Sequence, residues 1–196
     1  EQCHQVTRHY RPKALKTGML LNVEVVEAVA GFIAEAKIPA VIDPVMVASS
    51  GATLLSAEAV AAVARKLLPL AAVVTPNLDE ASILLGRKAL GGSQGSVEAL
   101  ELARRYGVPF IVKGGHAEGD ALVDALAWPD GRTLTLTARR IPGIDTHGSG
   151  CTLSAAITAH LARGESLEQA VRLAHAYLQS GMKKPLQVVG LKHIRH

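Results

Sequence analysis

Ala72-Val73-Val74-Thr75-Pro76-Asn77-Leu78-Asp79-Glu80-Ala81 holds one complete strand-to-helix unit. The compact apolar run Ala72 to Thr75 reads as a buried strand, and Pro76 closes it because proline cannot continue a ladder. Asn77 is a helix N-cap residue, and Glu80, three positions on, completes the capping box that opens a short helix. A buried strand running straight into a capped helix is the repeating unit of an α/β fold.

The same pattern recurs on both sides. Upstream, a short strand over residues 14–17 meets Gly18, a helix covers residues 23–36, and a strand over 40–43 stops at Pro44, followed by a helix over 57–68. Downstream, residues 86–95 form a glycine-rich loop, 96–106 a helix ended by Gly107, and 110–113 a strand stopped by Gly114-Gly115. Residues 121–128 and 133–138, joined by Pro129-Asp130-Gly131, read as an antiparallel hairpin at the sheet edge. Ser166, with Gln169 three residues later, caps a last helix to about Lys183. Strands alternating with helices predict a doubly wound, mostly parallel sheet in a single domain over residues 1–196, with no repeat or interdomain linker.

Composition agrees. A chain of 196 residues with 48% hydrophobic and 19% charged residues can bury a real core, and 3% aromatic content favours helices on parallel strands over a β sandwich. The net charge of +4 is modest and its basic residues are scattered, which argues against nucleic acid and leaves an anionic small molecule as the ligand class. No apolar run reaches the roughly 20 residues of a membrane span. The two cysteines, Cys3 and Cys151, lie far apart and make no disulfide framework, so the chain reads as cytosolic.

The chemistry is concentrated in Pro142-Gly143-Ile144-Asp145-Thr146-His147-Gly148-Ser149-Gly150-Cys151-Thr152. Glycines flanking one small polar residue permit a sharp turn and close approach of a ligand. Leu153, Ala156, Ile157 and Leu161 then repeat at helical spacing. The N–H groups and dipole of that helix start suit a phosphate or a developing negative charge. Cys151 falls there, and a thiol at a helix N-terminus tends toward the thiolate and can take a proton from a hydroxyl. Read alone, the same residues equally describe a tight strand-to-helix turn with a small buried cysteine. Neither the P-loop pattern nor a complete G-x-G-x-x-G is present.

In open α/β sheets, ligands bind beyond the carboxyl ends of the strands. Polar clusters fall there five times: Lys16-Thr17-Gly18-Met19-Leu20, Asp43-Pro44-Val45-Met46, Thr75 to Ala81, Val112-Lys113-Gly114-Gly115-His116, and Asp145 to Thr152. In this order and over residues 14–179, the segments resemble the hydroxymethylpyrimidine and phosphomethylpyrimidine kinases of thiamine diphosphate biosynthesis, members of the ribokinase-like superfamily.

The resemblance implies a three-layer α/β/α sandwich and ATP-dependent phosphorylation of 4-amino-5-hydroxymethyl-2-methylpyrimidine, then of its monophosphate. It makes Cys151 the base toward the substrate hydroxyl, where the wider superfamily uses aspartate, and Gly148, Ser149 and Gly150 the anion hole. Asn77 and Glu80 would organise Mg2+ and the phosphates, with Asp43 supporting the same metal. Lys113 would reach the ATP phosphates, with Thr146 beside them, and Met19 and Val45 would wall the pyrimidine pocket. The implied partners are ATP and the small pyrimidine in a cytoplasmic homodimer, with neither nucleic acid nor membrane.

Two departures accompany the match. About seventy residues that the family carries before the position of Glu1, including the first strand, are expected to be missing. Ser149 also stands where threonine is usual, a swap that keeps the hydroxyl. A pyridoxal kinase of the same fold, or an inactive truncated remnant that only binds ligand, remains the alternative. His116 and His147 do not make a zinc site without further ligands nearby, and His193 and His196 read as a solvated tail.

Overall fold

The computed structural model describes residues 1–48, 51–114, 121–188 and 191–195. Helix α1 (Gln2–Tyr10) is followed by strand β1 (Leu15–Thr17), helix α2 (Val23–Ala36), strand β2 (Ala40–Ile42) and helix α3 (Ala57–Ala62). Strand β3 (Val73–Val74), helices α4 (Leu78–Leu85) and α5 (Gly95–Tyr106), and strand β4 (Phe110–Val112) come next. The chain continues through β5 (Ala121–Ala127), β6 (Thr133–Arg139), α6 (Ser149–Ala162), α7 (Leu167–Lys183), β7 (Leu186–Val188) and β8 (Leu191–His193).

Among the described residues the central sheet has six strands in the order β1-β2-β3-β4-β5-β6. The first four are parallel, and the β5–β6 hairpin adds two antiparallel strands at one edge, as its turn residues predict. The strand order follows the chain without reversal, so the double winding expected from the strand–helix alternation is replaced by another route to two covered faces. Alternate strand residues divide between two cores. Ile42, Val74, Phe110 and Val112 pack with α2, α3, α4 and α5. Their neighbours Val41, Val73 and Ile111, with Leu126 of β5, pack with α6 and α7. Strands β2, β3 and β4 are apolar at every position because both their faces are buried.

Local sequence accounts for most boundaries. Asn22 caps α2 by accepting from the Val25 N–H at 3.0 Å, and Val26, Ala30 and Ile33 form its buried stripe. The capping box at Asn77 and Glu80 is present in both directions, each bond 2.8 Å. The helix expected over residues 57–68 forms but changes pitch: after Ala62 it widens into a π-helical turn over Val63–Leu67, where the Leu68 N–H reaches back five residues to the Val63 carbonyl, and a 3-10 turn follows over Leu68–Leu70. Pro69 in that turn has no N–H to donate and holds the chain out of an α-helix. Inside the expected loop over 86–95, the buried Glu98 carboxylate accepts from the N–H groups of Leu90 at 2.6 Å and Gly91 at 3.0 Å.

Three elements had no sequence prediction. Helix α1 buries none of its residues, and its contacts include a T-shaped pairing of the His4 and Phe32 rings. Strands β7 and β8 form a small antiparallel hairpin. The expected solvated tail is therefore in part a strand, because His193 lies on β8, half-buried, within 3.3 Å of the Asp145 carboxylate. His196 lies outside the described residues. Among the described residues no helix is long and apolar enough to cross a membrane.

Candidate functional site

The carboxyl ends of β1 to β4 meet the start of α6, and one acidic side chain ties them together. Asp43 follows β2, is 2% exposed, and accepts at Oδ1 from Lys113 Nζ at 3.0 Å and Thr75 Oγ1 at 3.1 Å. Its Oδ2 accepts from Ser154 Oγ of α6 at 3.2 Å. Lys113, beyond β4, is therefore no solvated strand end. Its side chain is 13% exposed, and its N–H donates to the Pro76 carbonyl at 2.9 Å, which joins it to the β3 turn. Sequence reasoning missed Thr75 and Ser154 as members of this network. Ser154 left a signal, a polar side chain among the apolar positions of the buried helix face.

Helix α6 begins four residues earlier than the apolar spacing indicates. Its N-cap is Gly148, at φ 80°, so Ser149, Gly150 and Cys151 form the first turn itself. That positive φ is open to glycine at little cost, whereas a Cβ would be strained there. The Ser149 N–H returns to the Thr146 carbonyl at 3.0 Å, and the Thr152 N–H reaches the Gly148 carbonyl at 2.8 Å. Between them, Gly150 and Cys151 present N–H groups for which an α-helix supplies no partner, and Gly148 has no side chain to cap them. Lys113 lies directly against this turn: a Cβ built on Gly150 would fall 2.9 Å from its Nζ. An ammonium and a bare helix N-terminus facing the same space form a strong anion site. Cys151 is exposed on that turn.

Glu80 sits beside the network. It is 2% exposed, and loss of water pushes its pKa up to about 7, against the lowering effects of the Lys113 charge and the Asn77 N–H. The Asp43 charge adds to the rise, and the Met46 N–H opposes it. A buried carboxyl short of positive charge is stabilised as the carboxylate by a cation, so Glu80 fits a metal-supporting role. Asp43 fits less directly, since both its oxygens already accept from lysine or hydroxyl donors. Among the described residues no group of three or more His, Cys, Asp or Glu could hold a metal ion. Magnesium would thus depend on phosphate oxygens and water for most of its ligands, as it commonly does.

The remaining predicted residues are placed as follows. Thr146 and His147 are exposed, and the Asp145 carboxylate accepts from the His147 N–H at 2.9 Å. Val45 lines a small cavity with Thr17, Gly18, Asp43, Pro44 and Leu55, while Met19 stands 48% exposed just beyond β1. Gly115 and His116 lie outside the described residues. Asp43, Thr75, Asn77, Glu80, Lys113 and the α6 turn are thus brought to one rim, with Val45 and Thr17 at its β1 side.

The family model described as phosphomethylpyrimidine kinase matches residues 1–194. The chain belongs to the phosphomethylpyrimidine kinase family. The hydroxymethylpyrimidine/phosphomethylpyrimidine kinase of Rhizobium meliloti is 46% identical over 172 residues, covering 87% of this chain and 64% of that protein. The Haemophilus influenzae protein of the same description is 39% identical over 191 residues, covering 95% of this chain and 71% of its own length. Among solved structures, the pyridoxal kinase from Staphylococcus aureus in complex with AMP-PCP and pyridoxal aligns with a TM-score of 0.84 at 31% identity, covering 100% of this chain and 71% of that one. This relationship accounts for the three-layer α/β/α arrangement: the family fold places helices on both faces of a mostly parallel sheet, here α2 to α5 on one face and α6 and α7 on the other.

Proposed function

We propose that this chain transfers the γ-phosphoryl group of ATP to the hydroxymethyl oxygen of 4-amino-5-hydroxymethyl-2-methylpyrimidine, and in a second turnover to the resulting monophosphate. The observation that carries the proposal is Lys113 Nζ, held by Asp43 at 3.0 Å and set against Gly150 in an uncapped helix turn. Phosphoryl transfer needs little covalent help from a protein and depends on positioning and charge neutralisation.

In this reading the N–H groups of Gly150 and Cys151, with Lys113, hold the transferring phosphoryl oxygens, and Ser149 and Thr146 border the nucleotide. The substrate hydroxyl gives its proton to the Cys151 thiolate as its oxygen bonds to the γ-phosphorus. The bond to the β-phosphate oxygen breaks, ADP leaves, and Cys151 is left as a thiol. Asp43 orients Lys113, and Asn77 fixes Glu80 through the capping box. Magnesium, supported by Glu80 and Asp43, would neutralise phosphate charge. Met19 and Val45 contact the pyrimidine ring. Homodimeric assembly is part of the proposal and rests on the family resemblance; sedimentation equilibrium checks it.

The likeness to the Staphylococcus aureus pyridoxal kinase along 100% of the chain favours pyridoxal as the second reading. Incubation with ATP and each acceptor, with products identified by mass spectrometry, separates the two. Pyrimidine mono- and diphosphates are expected. Faster phosphorylation of pyridoxal would reverse the assignment, and ATP binding without either product would leave only a binding function.

A further inference from the structure

Asp124 was not among the residues singled out in the sequence, and it has no part in the mechanism above. It lies on β5, one residue beyond Val123. Residues two apart on a strand share a face, so Asp124 lies on the side of Leu126, which packs in the core beneath α6 and α7. Hairpin pairing does not need an acid there, because the Asp124–Leu136 register is held by backbone bonds. A carboxylate that loses water is costly unless something compensates it.

The compensation leads to Lys113. Asp124 Oδ1 accepts from the N–H of Gly114 at 2.9 Å. Gly114 is also pressed against β5, where an added Cβ would lie 2.1 Å from the Val123 carbonyl oxygen. The backbone around Lys113 is thus pinned from both sides, by the Pro76 carbonyl through its own N–H and by Asp124 through the next one. We infer that Asp124 is a positioning residue for Lys113, acting through the Gly114 N–H to aim the ammonium at the first turn of α6. Its role in turnover rests on the reading of Lys113 as a phosphate ligand. The charge environment agrees: loss of water pushes the Asp124 pKa up, and the Gly114 N–H, then the His175 and Lys113 charges, pull it back.

The test uses the parent chain with Asp124→Asn, which keeps an acceptor oxygen, and Asp124→Val, which has none. Lys113 acylation by an N-hydroxysuccinimide ester is followed by mass spectrometry, and ADP affinity by calorimetry. In Asp124→Val, Lys113 labels roughly tenfold faster and ADP binds roughly tenfold more weakly, the equivalent of one hydrogen bond to a charged group. Asp124→Asn stays near parental in both. In a Lys113→Met background, Asp124→Val costs no further ADP affinity, because the effect passes through Lys113. Equal Lys113 labelling in parent and Asp124→Val, or losses that multiply in the double variant, would overturn the inference. Asp124→Leu, which likewise has no acceptor, carries the same outcomes if the valine variant does not fold. Should the parent itself bind no ADP, that failure belongs to the proposed function, and the labelling arm still decides the role of Asp124.

Discussion

Substituting alanine at Gly150 separates catalysis from folding. The new Cβ would sit 2.9 Å from Lys113 Nζ and 3.7 Å from its Cε, and among the described residues no other side chain or distant backbone lies within 4 Å. The clashing atom is the tip of a flexible side chain, so the fold can yield by moving the ammonium less than about 1 Å. Gly150 has no positive φ to strain, and alanine gains up to about 1 kcal/mol of helix propensity over glycine. Stability should therefore stay within about 1 kcal/mol of the parent, roughly 2–4 °C in Tm for a chain this size. Catalysis has no such relief, because the displaced group is the one aimed at the phosphoryl oxygens. Misplacement by about 1 Å can cost about 100-fold, and loss of one oxyanion donor costs about 100- to 1000-fold. Steady-state kinetics with ATP and the pyrimidine, beside thermal denaturation, should show kcat/KM down at least about 100-fold with little change in Tm. A large drop in Tm with parental turnover would refute the anion-site reasoning.

Other substitutions probe the rest of the rim. Lys113→Ala should weaken ATP binding and cost roughly 3 kcal/mol of stability, since it leaves the buried Asp43 without its cation; unchanged ATP affinity by calorimetry would contradict the placement. Gly114→Ala should destabilise by about 3 kcal/mol or more, because its Cβ meets the Val123 backbone carbonyl rather than a movable side chain; chemical denaturation reads it. Glu80 has a folded-state pKa of about 7 against an ordinary 4.5, so the folded state holds its proton more tightly and stability falls as pH rises from about 4.5 to about 7. That gap is worth about 3 kcal/mol in metal-free protein. Glu80→Gln should flatten the slope and be the more stable form at alkaline pH; urea titrations giving the parental slope would sink this.

Much of the fold is readable locally. Asn77 and Ser166 announce helices that form where expected, and Pro129-Asp130-Gly131 announces the hairpin. Strand order is different, because nothing in a single strand says whether its neighbour in the sheet precedes or follows it in the chain. The start of α6 was hidden because Gly148 and Gly150 both read as breakers, although only Gly148 has a positive φ and Gly150 is already helical. The change from α to π and then 3-10 winding ahead of Pro69 was masked by the continuing apolar spacing.

The site shows the same division. Asp43, Lys113 and the 148–151 turn stand out because polar groups at strand ends and paired glycines are unusual in an apolar chain. Their mutual contacts are long-range, with Asp43 reaching residues 70 and 111 positions away, and no periodicity encodes them. Thr75 looked like the end of a strand, and Asp124 like the polar position of an edge hairpin. Only assembly gives them partners.

The account stands most directly on proton transfer to Cys151. Single-turnover transfer from [γ-32P]ATP to the pyrimidine should be slower in Cys151→Ser by about 100- to 10,000-fold, because a serine hydroxyl is a far weaker base near neutral pH, with ATP affinity preserved. Transfer by Cys151→Ser at the parental rate would contradict it, reducing Cys151 to a packing residue and leaving the chemistry to Lys113 and the helix turn.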